Sequence, residues 1–173
     1  MTTVKKLNGK IALVTGGTRG IGKAIAKELD NQGATVMITG TRTGYTSEND
    51  FIYYCVDFAY QDSLQPFVKE IRGIQIDILV NNAGINKIGP VTELKVSDFV
   101  RVQKVNVTAP FLLCQAVLPG MRERKWGRIV NISSIWGKIS KMHRVPYSAS
   151  KFAIDGLTAA LSAEVAVDGV LVN

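Results

Sequence analysis

The chain has 173 residues, a length that suits one domain with a substantial buried core. Its hydrophobic content of 46% and charged content of 20% are ordinary for a globular protein. No apolar run approaches the roughly 20 residues that a membrane-spanning helix needs. Residues 1–9 are polar and lack the apolar segment of a signal peptide. We therefore expect no membrane partner and no secretion.

The net charge of +7 raises the question of a nucleic-acid partner. The basic residues are spread along the sequence, and the one dense group consists of Arg122, Arg124, Lys125 and Arg128. Because this group flanks a predicted strand, we interpret it as a solvated loop and expect no nucleic-acid partner. Part of the positive charge is suited to an anionic cofactor.

The two cysteines, Cys55 and Cys114, lie inside apolar segments. This setting predicts buried thiols rather than a disulfide, and it favours a reducing, cytoplasmic location. Together with the single histidine, His143, they make no plausible metal site.

Six aliphatic, strand-like runs alternate with amphipathic segments of helical length. The runs fall at residues 11–14, 36–39, 53–56, 78–80, 129–132 and 170–172. The alternation predicts a single α/β domain over residues 1–173, with a parallel sheet covered on both faces. The connection at residues 40–52 is short and rich in Gly, Thr, Ser and Asn, so we expect a loop there and an edge position for the third strand.

The turn after the first strand is rich in glycine and reads Thr15-Gly16-Gly17-Thr18-Arg19-Gly20-Ile21-Gly22. Gly16 permits a tight turn, Gly20 lets the backbone approach a pyrophosphate, and Gly22 lets the helix pack against the strand. The N-terminus of the following helix offers free N–H groups to phosphates. The pattern predicts a dinucleotide site, although a plain glycine turn between two elements would look the same.

Tyr147 and Lys151 are four residues apart, so they share one face of a predicted helix. A phenol has a reference pKa of about 10, and a neighbouring ammonium lowers it. A solvated helix pair would show the same spacing. In one chain with the glycine-rich turn, however, the pair indicates a nicotinamide-dependent oxidoreductase.

With these motifs the sequence resembles the classical short-chain dehydrogenase/reductase family, in particular its 3-oxoacyl reductase-like members, over essentially its whole length. Asn81-Asn82-Ala83-Gly84 matches a family signature, and Asp57 matches its adenine-contacting acid. Ser134 stands thirteen residues before Tyr147, as the catalytic serine of the family does. The resemblance implies a Rossmann-like, doubly wound parallel sheet of order 3-2-1-4-5-6. Because the sequence ends at Asn173, before the family's lid and seventh strand, we expect a fragment or a shortened protein.

The resemblance assigns catalytic roles to Asn106, Ser134, Tyr147 and Lys151. Tyr147 would be the general acid in carbonyl reduction and the base in alcohol oxidation. Lys151 would hold the nicotinamide ribose and lower the pKa of the tyrosine. Ser134 would hydrogen-bond the substrate oxygen, and Ser133 is a rival that only the spacing disfavours.

Asn106 has a second line of support in Pro110, four residues later within the predicted helix of residues 97–118. Proline has no N–H, so the Asn106 carbonyl loses its helical partner and the helix should kink. The free carbonyl would hold a water that leads to Lys151. In the alternative, Pro110 only bends the helix around the sheet.

The resemblance also assigns a cofactor site, composed of Gly16, Thr18, Arg19, Gly20, Ile21, Gly22, Thr41, Arg42, Asp57, Asn82, Ala83, Gly84, Tyr147 and Lys151. Members that prefer NAD usually carry an acid after the second strand, where this chain has Gly40-Thr41-Arg42. We therefore predict a preference for NADP(H) over NAD(H), with Arg19 and Arg42 on the 2′-phosphate. In the alternative, Arg42 points to solvent from the loop.

The predicted function is the interconversion of a carbonyl and an alcohol by hydride transfer, in the first place NADPH-dependent reduction of a ketone or a 3-oxoacyl group. The alternative is a shortened, catalytically inactive nucleotide-binding module. The expected partner is a small carbonyl or alcohol substrate, in a pocket lined by Trp136 and Met142.

Apolar helices around residues 106–118 and 147–167, together with the resemblance, predict a homodimer or homotetramer. The alternative is that their apolar side chains cover the sheet of one subunit; the side chains in question are Phe111, Leu112, Leu113, Val117 and Phe152.

Overall fold

A computed structural model describes residues 5–47 and 49–173. Its centre is a six-stranded sheet of order β3-β2-β1-β4-β5-β6, in which every neighbouring pair is parallel. The strands are β1 (Ile11–Val14), β2 (Thr35–Gly40), β3 (Ile52–Cys55), β4 (Ile78–Asn81), β5 (Gly127–Asn131) and β6 (Val170–Val172). The predicted sheet and its order are confirmed; β1 and β6 have the predicted ends, and the ends of the other four strands differ from the prediction by at most two residues.

In the part of the chain that the structure describes, five α-helices accompany the sheet: α1 (Gly20–Asn31), α2 (Gln61–Ile71), α3 (Val96–Gln103), α4 (Ala109–Glu123) and α5 (Val145–Val165). A π-helical turn at Lys104–Thr108 joins α3 to α4, and short 3-10 turns lie at Ile135–Gly137 and Ala166–Asp168. In the described residues, no helix is long and apolar enough to cross a membrane.

Alternate residues of the strands face opposite sides of the sheet, which gives the molecule two cores. Leu13 of β1 packs on one side in a core that includes Phe67 of α2 and Leu113 of α4. Val14 packs on the other side with Ala26 of α1. The near-continuous aliphatic strands follow from this two-sided burial.

Several of the apolar side chains that were candidates for a subunit interface instead cover the sheet of their own subunit. They belong to helix α4. Leu113 and Val117 are buried in the core, and Leu112 is partly buried against it. Phe111 and Phe152 remain 51% and 50% exposed. These two phenylalanines are the most exposed of the set, so they are the side chains most available to a second subunit.

The predicted edge position of β3 is confirmed. The prediction that Cys55 is buried is wrong. Cys55 is exposed because β3 has a neighbour on one side only, and the described part of the connection before it forms no helix. Cys114 is buried as predicted, and burial raises the pKa of its thiol to about 12.

The dense basic group is held by ion pairs and is not simply solvated. Arg122 and Lys125 both pair with Asp168, at 2.7 and 2.8 Å. Arg124 lies 3.5 Å from the buried carboxylate of Asp77. These contacts join the start of β5 to neighbouring elements, so much of the charge is neutralised within the fold.

Candidate active site

The glycine-rich turn between β1 and α1 has the backbone that its sequence predicts. Gly16 and Gly20 have positive φ values of 64° and 55°, which L-residues with a side chain adopt only under strain. No described atom lies within 4 Å of the position that a β-carbon on Gly20 would occupy. The backbone before α1 is therefore open to a ligand, at the helix end that favours anions.

Gly22 permits a close approach between this turn and the segment after β4. A β-carbon on Gly22 would collide with the side-chain amide of Asn82 and the carbonyl oxygen of Gly16. That amide donates hydrogen bonds to the carbonyl oxygens of Thr15, at 2.9 Å, and Gly16, at 3.2 Å. Asn82 thus fixes the shape of the glycine turn, a role that sequence reasoning did not give it.

Thr15 completes this junction from the other side. Its hydroxyl accepts hydrogen bonds of 2.9 Å from the backbone N–H groups of Asn82 and Ala83. The carboxyl ends of the neighbouring strands β1 and β4 are therefore tied together where the crevice of a parallel α/β sheet is expected.

A crevice of about 640 Å³ opens at this junction. Eleven residues of the predicted cofactor set line it: Gly16, Thr18, Arg19, Gly20, Ile21, Gly22, Thr41, Asp57, Asn82, Ala83 and Gly84. Seven further lining residues were not predicted: Thr39, Gly40, Val56, Phe58, Ile85, Arg101 and Val105. These residues line the crevice because several elements meet at the carboxyl ends of the strands. No local sequence motif identifies them.

Of the two arginines predicted at the cofactor site, Arg19 lines the crevice and Arg42 does not. Arg42 is exposed and is not among the residues that line the crevice, while its carbonyl oxygen accepts a 2.7 Å hydrogen bond from the Tyr53 hydroxyl. Its neighbour Thr41 does line the crevice. Arg101 lines the crevice from α3, so the structure brings a guanidinium group there that the sequence did not reveal.

A second cavity of about 470 Å³ adjoins the first and is lined by three of the four predicted catalytic residues, Ser134, Tyr147 and Lys151. Ser133 and Trp136 also line it, whereas Asn106 does not. The two cavities also share lining residues, namely Ile21, Asn82, Gly84 and Ile85, so they form one continuous crevice. Met142 is 78% exposed and does not line the cavity, in contrast to its prediction.

Lys151 is held at the carboxyl end of β5, close to Tyr147. Its side-chain nitrogen donates a 2.6 Å hydrogen bond to the carbonyl oxygen of Ile132 and lies 5.6 Å from the centre of the Tyr147 ring. Burial lowers the pKa of Lys151, and the negative charge of Asp155 acts in the opposite direction. The ammonium and the phenol therefore form a compact pair at the cavity wall.

Both serines reach the cavity, but their hydroxyl groups have different surroundings. The Ser134 oxygen accepts a 3.3 Å hydrogen bond from the backbone N–H of Trp136, which leaves its own proton available to a ligand. The Ser133 oxygen is buried and has no hydrogen-bond partner among the described residues.

Asn106 lies in the π-helical turn, immediately ahead of the helix that contains Pro110. The predicted disruption of the helix is thus present as a π turn, where the missing proline N–H changes the hydrogen-bond pattern. The Asn106 side chain accepts a 2.9 Å hydrogen bond from the N–H of Ile85 and donates one of 2.9 Å to its carbonyl oxygen. Asn106 is therefore a structural clamp on the segment after β4.

The site combines a phenol, an ammonium and a serine hydroxyl next to a crevice long enough for an extended ligand. Such groups can deliver a proton to a carbonyl oxygen and stabilise the charge that develops there. Among residues 5–47 and 49–173, no group of three or more His, Cys, Asp or Glu side chains could hold a metal ion.

Comparisons with known proteins agree with this geometry. The sequence profile described as short chain dehydrogenase matches residues 10–173. The 3-oxoacyl-acyl-carrier-protein reductase FabG of Aquifex aeolicus is 42% identical over 180 residues, covering 97% of this chain and 73% of the relative. The 2-dehydro-3-deoxy-D-gluconate 5-dehydrogenase of Formosa agariphila is 35% identical over 179 residues, covering 96% and 68%.

A solved structure of a metagenomic short-chain oxidoreductase in complex with NADP superposes with a TM-score of 0.85. The two chains are 32% identical, and the match covers 95% of this chain and 79% of the other. Sequence profile, relatives and fold agree, and this chain belongs to the short-chain dehydrogenase family of oxidoreductases.

Proposed function

We propose that this protein reduces a ketone or a 3-oxoacyl group with NADPH as hydride donor. The observation that carries the proposal is the continuous crevice, which runs from the glycine turn to a cavity lined by Ser134, Tyr147 and Lys151. The relative from Aquifex aeolicus, named as a 3-oxoacyl-acyl-carrier-protein reductase, supports the acyl substrate class.

The crevice fits a nicotinamide dinucleotide. The open backbone at Gly20 and the close packing at Gly22 leave room for a pyrophosphate at the start of α1. Asp57 also lines the crevice, and its carboxylate would bind the adenine. When bound, the reduced nicotinamide supplies the hydride that converts a carbonyl carbon to an alcohol carbon.

The residues of the chain provide the proton and the alignment. Tyr147 donates its phenolic proton to the carbonyl oxygen, and Ser134 donates a hydrogen bond to the same oxygen while its negative charge develops. Lys151 stabilises the phenolate that remains and binds the nicotinamide ribose hydroxyls. In the reverse direction, the Tyr147 phenolate takes the proton from the alcohol.

NADPH is preferred over NADH because the end of β2 lacks a carboxylate and carries cations nearby. Arg19 lines the crevice, and Arg42 follows the lining residue Thr41. Guanidinium groups form charge-assisted hydrogen bonds with phosphate, so both would favour a 2′-phosphate.

The function is tested by incubating the full-length protein with NADPH and a panel of 3-oxoacyl thioesters, simple ketones and keto sugars, with the loss of NADPH absorbance as the readout. Tyr147→Phe should lower turnover about 100- to 10,000-fold, the usual contribution of acid–base catalysis. Tight NADPH binding without turnover on any substrate would favour a nucleotide-binding module instead.

We further propose that two subunits associate through α4 and α5. The exposed rings of Phe111 on α4 and Phe152 on α5 are the apolar surface that such an interface would bury. A two-fold arrangement would bring the same surface of each subunit together.

A further inference from the structure

Asp155 lies on α5 in line with the proposed catalytic pair. It follows Lys151 by four residues, as Lys151 follows Tyr147, so the three side chains recur on one face of the helix. The proposed chemistry uses Tyr147 and Lys151 and gives no role to Asp155. Its carboxylate nevertheless faces the segment that carries Ser134.

Gly137 shows how close this contact is. A β-carbon on Gly137 would lie 2.7 Å from the Oδ2 atom of Asp155 and 2.9 Å from the Oγ atom of Ser133. Both oxygen atoms therefore border the space that a side chain at Gly137 would fill. Both atoms are buried: Ser133 Oγ has no hydrogen-bond partner within the described part of the chain, and Asp155 Oδ2 is contacted by the Lys138 ammonium in an ion pair rather than in an aligned hydrogen bond.

Few charged or titratable groups surround the Asp155 carboxylate. Lys138 forms a 3.2 Å ion pair with it, but the Lys138 side chain is 74% exposed, so solvent weakens that pair. Lys151 approaches from α5 itself, one turn before Asp155. The contacts that the π turn and α3 make with the start of α5 are neutral: Asn106 bonds to Ser150, and Gln103 bonds to the Pro146 carbonyl.

We infer that Asp155 is a positioning residue, which holds the Ser133–Gly137 segment against α5 and adds a negative charge behind the Tyr147–Lys151 pair. The inference rests on the proposed oxidoreductase function. The alternative to this role is that Asp155 only forms a surface ion pair with Lys138 and has no effect on the catalytic pair.

The two roles of Asp155 have different signatures. A negative charge favours protonation of a neighbouring amine, so Asp155 raises the pKa of Lys151. Loss of that charge would lower the pKa of Lys151. If Asp155 only held the Ser133–Gly137 segment in place, its replacement would reduce turnover without changing the pH dependence of turnover.

The test is the pH profile of turnover for carbonyl reduction in the full-length protein. Turnover requires the Lys151 ammonium, so activity falls at alkaline pH as Lys151 loses its proton. Asp155→Asn should move this alkaline limb to lower pH by about 0.3–1 unit, less than the 1–3 units typical of charges in direct contact. Asp155→Glu, which keeps the charge, should keep the limb near its original position.

Three variants serve as controls. Asp62→Asn removes an exposed carboxylate in the first turn of α2 and should leave the profile unchanged. Ser133→Ala removes the facing hydroxyl and should lower turnover without shifting the limb. Asp155→Ser is a second neutral replacement, which must reproduce the shift if Asp155→Asn fails to fold.

The outcomes separate this inference from the proposed function. If Tyr147→Phe abolishes turnover and neutral replacements of Asp155 leave the alkaline limb in place, the Asp155 inference is overturned and the function stands. If Tyr147→Phe retains near-native turnover, both fail.

Discussion

The side-chain amide of Asn106 donates a 2.9 Å hydrogen bond to the hydroxyl of Ser150, which in turn donates one of 2.7 Å to the carbonyl oxygen of Tyr147. The π turn is thereby tied to the first turns of α5, where Tyr147 and Lys151 lie. Since the same amide also bonds to Ile85, one side chain connects three segments around the crevice.

This relationship predicts that Asn106 supports the fold as well as the site. Asn106→Ala would leave the partly buried backbone N–H and carbonyl groups of Ile85 without their partners, at a cost of about 1–3 kcal/mol in the free energy of unfolding. Urea denaturation followed by circular dichroism measures this loss. Asn31→Ala, at the exposed end of α1, is the matched control, and an equal effect of both changes would contradict the clamp.

Lys151 is expected to act on cofactor binding and turnover together. Lys151→Ala removes a ribose contact and the charge that favours the Tyr147 phenolate, so the dissociation constant for NADPH should rise while turnover falls. Fluorescence titration and steady-state kinetics separate the two effects. Lys104→Ala removes an exposed lysine from the π turn and should change neither quantity. Unchanged NADPH affinity in Lys151→Ala would exclude the ribose contact.

The close packing at Gly22 predicts a strong effect of one added methyl group. In Gly22→Ala the new β-carbon would meet the Asn82 amide and the Gly16 carbonyl, so we expect a loss of about 1–3 kcal/mol in stability and much weaker NADPH binding. Gly156→Ala is the control, because no described atom lies within 4 Å of its added β-carbon. There, alanine should stabilise α5 by about 0.5–1 kcal/mol. Normal NADPH affinity in Gly22→Ala would argue against pyrophosphate binding at this turn.

The preference for NADPH provides a test of the arginines. Arg42→Ala should weaken NADPH binding by about 1–3 kcal/mol and leave NADH binding nearly unchanged, because only NADPH carries the 2′-phosphate. Arg19→Ala should act in the same direction. Arg72→Ala, at the end of α2, is the control. If Arg101→Ala abolishes the preference while Arg42→Ala does not, the phosphate is bound from α3 instead.

Assembly through α4 and α5 is tested by placing charge on its exposed rings. Phe111→Glu or Phe152→Glu would bury a carboxylate in the proposed interface, so the mass by light scattering should fall to that of a monomer. Ile52→Glu, on the exposed edge strand β3, should leave the assembly intact. A monomeric mass for the unaltered protein at micromolar concentration would contradict the interface.

The sequence alone determined the features that arise from local pattern. The aliphatic runs set the strands, because a strand buried on both faces needs apolar side chains at successive positions. Gly16 and Gly20 marked a tight, open turn, and Pro110 marked a break in the helix, since each follows from the covalent structure of a single residue. The spacing of Tyr147 and Lys151 placed them on one face of α5.

The tertiary structure decided which distant residues meet. The clamp of Asn82 on the glycine turn joins β1 to β4, and Arg101 reaches the crevice from α3. Burial was likewise a property of the whole fold. Cys55 is exposed because β3 is the edge strand, although its local sequence is apolar. A side chain's surroundings depend on contacts between segments far apart in the chain, and local sequence does not encode those contacts.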